Sequence, residues 1–225
     1  MHDSLNGRVI IATGAGGGIG AATAKLLGAN GAKVVLTDII VQTHQVVEDI
    51  RSAGDIAQYI EADLSSEDQI KDLIAKTVGA HGRSDGAFNN AGIEQCALPL
   101  ADLSKDQWDR AIRIDLTAVF LCLKYQIKAM LQTGSGSIVN TASSLGVVAL
   151  PSAGEYVAAK HGVIGLTRAA ATDYGAQGIR VNAVLPGMVK TPIVERISQN
   201  PDFQPLLQRL KERHPTGRFA MPEEI

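Results

Sequence analysis

Short apolar, β-branched runs alternate along this chain with longer stretches whose apolar residues recur at helical spacing. Residues 8–13 (RVIIAT) stop abruptly at glycines, as a buried parallel strand would, and AATAKLLGAN then carries a helical pattern that ends at Gly31. The alternation continues with a strand over Lys33–Thr37, a helix over Gln42–Ala53 and a strand over Ile56–Ala62 ending at Asp63. Ser66, followed by Glu67 and Asp68, caps a helix reaching Gly79. Gly86–Asn89 is a short strand, Ser104–Leu131 a long amphipathic helix with Trp108, Phe120 and Tyr125, and Ser137–Thr141 a further strand. A helix through Tyr156 runs to about Tyr174, and the strand Arg180–Leu185 closes on Pro186-Gly187. No linker or low-complexity segment interrupts the series. It predicts a single α/β domain over residues 1–225: a doubly wound parallel β-sheet with helices on both faces, in three α/β/α layers.

Ligands of such sheets sit beyond the carboxyl ends of the strands. Gly14, Asp38, Asp63, Asn89, Ser143 and Pro186 all fall at or just after those ends, so one surface collects the polar and glycine-rich positions.

Composition narrows the partners. The net charge is −2, with no basic block, which argues against nucleic acid and against anionic membrane surfaces. No apolar run approaches the roughly 20 residues of a membrane span, and the polar start MHDSLNGR lacks a signal-peptide core. Cys96 and Cys122 lie far apart and read as free thiols of a reducing compartment. His2, His44, His81, His161 and His214 are scattered, so no metal site is expected. A cytoplasmic location follows.

The chemistry begins at Thr13-Gly-Ala-Gly-Gly-Gly-Ile-Gly20, placed between a strand and a helix. Glycines there let backbone approach a pyrophosphate, while the helix N-terminus offers free N–H groups and a positive dipole end. Asp38, about 20 residues further on, is placed to accept hydrogen bonds from ribose hydroxyls. It would repel a 2′-phosphate and no cation lies beside it, so NAD is expected rather than NADP.

Tyr156 and Lys160, in Tyr-Val-Ala-Ala-Lys, fall on one helix face a turn apart. A phenol has a reference pKa of about 10, and a neighbouring ammonium favours its anion. Tyr156 is therefore a candidate acid/base for an alcohol or carbonyl, with Ser143 or Ser144 presenting a hydroxyl to the same oxygen.

Taken in order, Thr13-Gly14-x-x-x-Gly18-Ile19-Gly20, Asp63, Asn89-Asn90-Ala91-Gly92, Ser143, Tyr156-x-x-x-Lys160, Asn182, Pro186-Gly187 and Thr191 resemble the compact single-domain branch of the short-chain dehydrogenases/reductases, with their Rossmann-type fold. The resemblance implies that Tyr156 is the acid/base, that Lys160 binds the nicotinamide ribose and lowers the tyrosine pKa, and that Ser143 orients the substrate oxygen. It implies that Asp63 and Leu64 border the adenine, that Asn90, Ala91 and Gly92 line the cofactor cleft, and that Pro186, Gly187, Val189 and Thr191 meet the nicotinamide end. It also implies a homotetramer built on the two long helices.

Two features depart from the family pattern. Asp115 stands where an Asn usually anchors a water relay to the lysine. The chain also stops at Pro222-Glu-Glu-Ile225, where the family normally continues into a helix and a final strand. Residues 190–215 read as a lid over the substrate or as a fixed helical cap. Glu94, Gln95, Val148 and Met188, with Cys96 as packing, are expected to line a pocket for a small cyclic alcohol, diol or sugar. The alternatives are a dinucleotide-binding regulator disabled by Asp115 and the short C-terminus, or another reaction on the same fold.

Overall fold

A computed structural model describes residues 5–199 and 204–225; His2 and part of the expected lid, residues 200–203, lie outside them. The elements are β1 (Val9–Thr13), α1 (Gly18–Ala29), β2 (Lys33–Thr37), α2 (Thr43–Ser52), β3 (Ile56–Tyr59), α3 (Glu67–His81), β4 (Gly86–Asn89), α4 (Lys105–Ile112), α5 (Ala118–Leu131), β5 (Gly136–Thr141), α6 (Gly154–Tyr174), β6 (Ile179–Val184), α7 (Pro192–Ser198) and α8 (Gln204–Glu212). Six parallel strands lie in the order β3-β2-β1-β4-β5-β6. The order reverses between β1 and β4, and the crevice at that reversal is where doubly wound sheets bind ligands.

The central strands are apolar on both sides because both sides are covered. Ile10, Ala12, Val34 and Leu36 pack toward α1 and α2, whereas Val9, Ile11 and Val35 pack with Leu73 and Ile74 of α3. Val119, Leu123 and Ile127 of α5 and Val163 of α6 cover Ile138 and Val181 on the same side as α3. Helix α1 buries Gly20, Ala24 and Gly28, a stripe of small residues at i, i+4 and i+8 that lets it lie close to its neighbours. A Cβ at Gly28 would come within 2.9 Å of Ile50 Cγ2 on α2. A groove of about 660 Å³, lined by Leu26, Phe88, Val139, Val184 and Ile225, remains between α1 and the β4–β6 half of the sheet.

Two expected elements differ. Strand β3 ends at Tyr59 rather than Ala62, because its partner β2 ends at Thr37 and the pairing stops at Leu36–Tyr59. The long helix over Ser104–Leu131 is interrupted: Arg113–Thr117 form a single π turn between α4 and α5. Such wide turns sit often at functional sites, and this one carries Asp115 into the interior.

Candidate active site

The glycine loop is a cradle that side chains would fill. Gly14 has φ +61°, and a Cβ there would lie 2.7 Å from Ala91 Cα; a Cβ on Gly20 would meet the Gly14 carbonyl at 2.0 Å. Thr13 Oγ1 accepts the Asn90 and Ala91 N–H groups, and Asn90 Nδ2 donates to the Gly14 carbonyl, so the ends of β1 and β4 are fastened together. Helix α1 starts at Gly18 with no side-chain cap and no acidic residue in its first turn. Its terminal N–H groups and positive dipole end are therefore left for an anion, and the cradle fits a dinucleotide pyrophosphate. Thr191 overhangs this loop, its Cγ2 within 2.9 Å of a Cβ built on Gly18.

Asp38 shapes the same loop. Its Oδ2 accepts the Gly16 N–H at 2.9 Å and its Oδ1 the Ile39 N–H at 2.7 Å, leaving further lone pairs on both oxygens. Asp63, expected to border the adenine, is exposed, and its Oδ1 accepts the Ser65 N–H ahead of α3. Leu64 turns its side chain into the core between α3 and α5.

On α6, Tyr156 and Lys160 face the crevice together, with Lys160 Nζ 5.3 Å from the Tyr156 ring centroid. Lys160 is buried at 3% exposure; its Nζ donates to the Thr141 carbonyl at 3.2 Å and lies 3.5 Å from Asp115 Oδ1. That Asp115 oxygen also accepts the Ile93 N–H at 3.1 Å. A Cβ on Gly92 would come within 2.6 Å of it, so the glycine leaves the carboxylate its room. Ser143, buried at the end of β5, accepts the Leu145 N–H on its Oγ.

Burial pushes the Tyr156 phenol up to about 12; the Asp115 charge adds to the rise and the Ser143 hydroxyl opposes it. The expected fall in the Tyr156 pKa is thus not found in the chain itself: burial of the phenol is the larger cause of the rise, and the Asp115 charge beside Lys160 adds to it. Burial lowers the Lys160 pKa and raises that of Asp115, and each partner's charge resists the other's neutralisation.

The remaining candidates lie on the segments that follow β4, β5 and β6. Ser144 N–H donates to the Pro186 carbonyl. Gly187 lies beside His214, and Val189 is buried and paired with Ala220. Met188 is half-buried and its carbonyl accepts the Ala220 N–H, while Val148 is exposed. Glu94 and Gln95 are half-buried on the segment after β4, and Arg196 of α7 reaches Glu94 at 3.6 Å. Within the segment expected to form a lid or a cap, the residues on either side of 200–203 form the two short helices α7 and α8.

Sequence reasoning passed over three groups. One is the Thr141 carbonyl that holds Lys160, a backbone group without a signature. Another is Glu155, whose Oε1 accepts the Cys96 N–H at 2.6 Å. The third is a buried chain of amides in which Asn89 bonds Gln126 and Asn140, and Asn140 bonds Thr167. Gln126, a polar residue on an otherwise apolar helix face, was the available signal for it.

A family model described as enoyl-(acyl carrier protein) reductase matches residues 14–225. A 2,5-dichloro-2,5-cyclohexadiene-1,4-diol dehydrogenase of Sphingobium indicum is 49% identical over 222 residues, covering 98% of this chain and 87% of that protein. The crystal structure of a levodione reductase superposes with a TM-score of 0.92 at 37% identity, covering 98% of this chain and 88% of that one. That of an actinorhodin polyketide ketoreductase with NADPH gives 0.90 at 34%, covering 96% and 86%. No helix among the described residues is long and apolar enough to cross a membrane. With the glycine cradle at the strand reversal and the Tyr156–Lys160 pair beside it, these likenesses place the chain in the short-chain dehydrogenase/reductase family, as an oxidoreductase that uses a nicotinamide dinucleotide to interconvert a secondary alcohol and its ketone.

Proposed function

We propose that this enzyme is an NAD-dependent dehydrogenase of small cyclic alcohols or diols, with Tyr156, Lys160, Ser143 and Asp115 at its reacting centre. The observation that carries the reading is the meeting of Tyr156 and Lys160 on one face of α6. The half-identical relative named for a cyclohexadiene diol supports the substrate class.

Gly14, Gly18, Ile19, Gly20, Asn90, Ala91 and Gly92 would hold the dinucleotide, Asp38 its adenine ribose, and Pro186, Gly187, Val189 and Thr191 its far end. The bound nicotinamide supplies or accepts the hydride. Tyr156 carries the proton: its hydroxyl donates to the ketone oxygen in reduction and takes the proton of the alcohol in oxidation. A phenol pushed up to about 12 is a fully stocked donor at neutral pH. Taking a proton needs the Lys160 charge close by, and Asp115 moderates that charge. Ser143 orients the substrate oxygen, and Glu94, Gln95, Val148 and Met188 form the walls.

NAD is preferred because Asp38 offers acceptors to ribose hydroxyls and repels a phosphate, with the apolar Ile39 beside it. The domain is a single unit with a lid over 190–215, and the protein is a cytoplasmic homotetramer joined through α5 and α6. The exposed Phe120 on α5 and the exposed small residues Gly165 and Ala169 on α6 suit close helix pairing. Absorbance of the reduced cofactor, followed over a panel of cyclic alcohols, diols and sugars with NAD and with NADP, tests the reading. Turnover of cyclic diols with NAD is expected. A panel without turnover, or equal kcat/KM for the two cofactors, would refute the corresponding half.

A further inference from the structure

Glu155 stands immediately before Tyr156 in the first turn of α6 and is wholly buried. Its Oε1 accepts the Cys96 N–H at 2.6 Å, while its Oε2 is buried without a partner among the described residues. The Cys96 thiol lies beside the same carboxylate: burial raises its pKa first, and the Glu155 charge raises it further. The next residue, Ala97, has φ +57°, a left-handed backbone that a residue with a Cβ adopts only when its surroundings hold it there.

The segment so gripped carries Glu94 and Gln95, which the proposed function makes walls of the substrate pocket. It has two further ties. The Ile93 N–H donates to Asp115 Oδ1, and Leu100 packs on α6, its Cδ1 within 2.9 Å of a Cβ built on Gly154. All three ties end on groups next to the reacting centre. An apolar side chain would fill the place of Glu155 without burying an unpaired oxygen, so packing alone does not account for a carboxylate. What the carboxylate adds is a directional bond to one backbone N–H, made from the residue that adjoins Tyr156.

We propose that Glu155 is a specificity-determining positioning residue, which fixes the wall formed by residues 93–98 relative to the Tyr156 hydroxyl and thereby sets the ring size of the alcohol that fits. The inference rests on the dehydrogenase reading above. Because Glu155 and Tyr156 are consecutive on a rigid helix, the tie makes wall and hydroxyl move as one body. Without it the Ala97 turn relaxes, and the wall no longer discriminates.

Steady-state kinetics with cyclopentanol, cyclohexanol and cycloheptanol and NAD test this on the full chain. Glu155→Gln keeps an acceptor for the Cys96 N–H and is expected to retain the wild-type ranking of the three alcohols. Glu155→Ala is expected to raise KM for the preferred ring roughly tenfold or more and to flatten the ranking, with NADH affinity unchanged. An unaltered ranking in a folded Glu155→Ala, or a fall in NADH affinity equal to the rise in KM, would overturn the proposal. Should that variant not fold, amide hydrogen exchange of the wild-type protein decides. Protection of the Cys96 amide on the order of a hundredfold supports the tie, and exchange at the rate of an unstructured peptide refutes it. Exchange needs no turnover, so it tests the tie separately: if none of the alcohols is oxidised, the dehydrogenase reading fails and the specificity role with it, whereas an unprotected Cys96 amide in an active enzyme overturns the proposal alone.

Discussion

Asp115 Oδ1 lies 3.5 Å from Lys160 Nζ, with the two side chains 0% and 4% exposed. The lysine expected to draw the Tyr156 proton is therefore already facing a carboxylate. Removing that charge while keeping the shape should lower the Tyr156 pKa, since Asp115 is one of the two causes that raise it. In Asp115→Asn the pH of half-maximal alcohol oxidation is expected to move down. A pH–rate profile shifted upward would contradict the electrostatic account.

Tyr156→Phe keeps the ring and loses the proton carrier. General acid–base groups contribute about 10²–10⁴ in rate, so kcat should fall by that order. NADH affinity, read by fluorescence titration, should change little. Retention of most of the activity would remove Tyr156 from the mechanism.

Gly20→Ala puts a methyl group 2.0 Å from the Gly14 carbonyl, a backbone atom with no freedom to withdraw. The loop must open, and binding of NAD and NADH should be lost together. Circular dichroism would show whether the sheet survives; normal cofactor affinity in the variant would refute the cradle.

Asp38→Asn retains an acceptor for the Gly16 N–H while removing the charge, so the loop should hold its form. The ratio of kcat/KM for NAD over NADP is expected to narrow by about tenfold, the equivalent of about 1.4 kcal/mol. An unchanged ratio would mean that the carboxylate does not choose the cofactor.

Acid should expose the buried Asp85 as a stabilising group. Burial alone would raise its pKa, but Arg83, the Val9 N–H and Arg8 outweigh that and hold it below the usual carboxylate range. A depressed carboxylate stabilises the fold fully above its unfolded pKa, about 3.9, and this is lost as pH falls through the folded value. The wild type should lose more of its Tm than Asp85→Asn when the pH is lowered from 5 to about 3. Parallel losses would refute the linkage.

The sequence by itself determined the features that depend on neighbours along the chain. Strand and helix periods, the glycine loop between β1 and α1, the Ser66 cap and the i, i+4 placing of Tyr156 and Lys160 are local, so pattern reveals them. Tertiary structure alone decided what those residues face. Family resemblance already put Asp115 near Lys160, but only the fold shows the π turn that carries it there, the 3.5 Å separation and the bond from an N–H donor 22 residues away. Nothing along the chain marks Glu155, which the fold buries against Cys96, 59 residues distant. β3 stops early because its partner β2 ends at Thr37, and Leu64 turns into the core between α3 and α5. The physical reason is common to all of these. Burial and long-range pairing set the charge and direction of a polar group, and neither is encoded in the spacing of its neighbours.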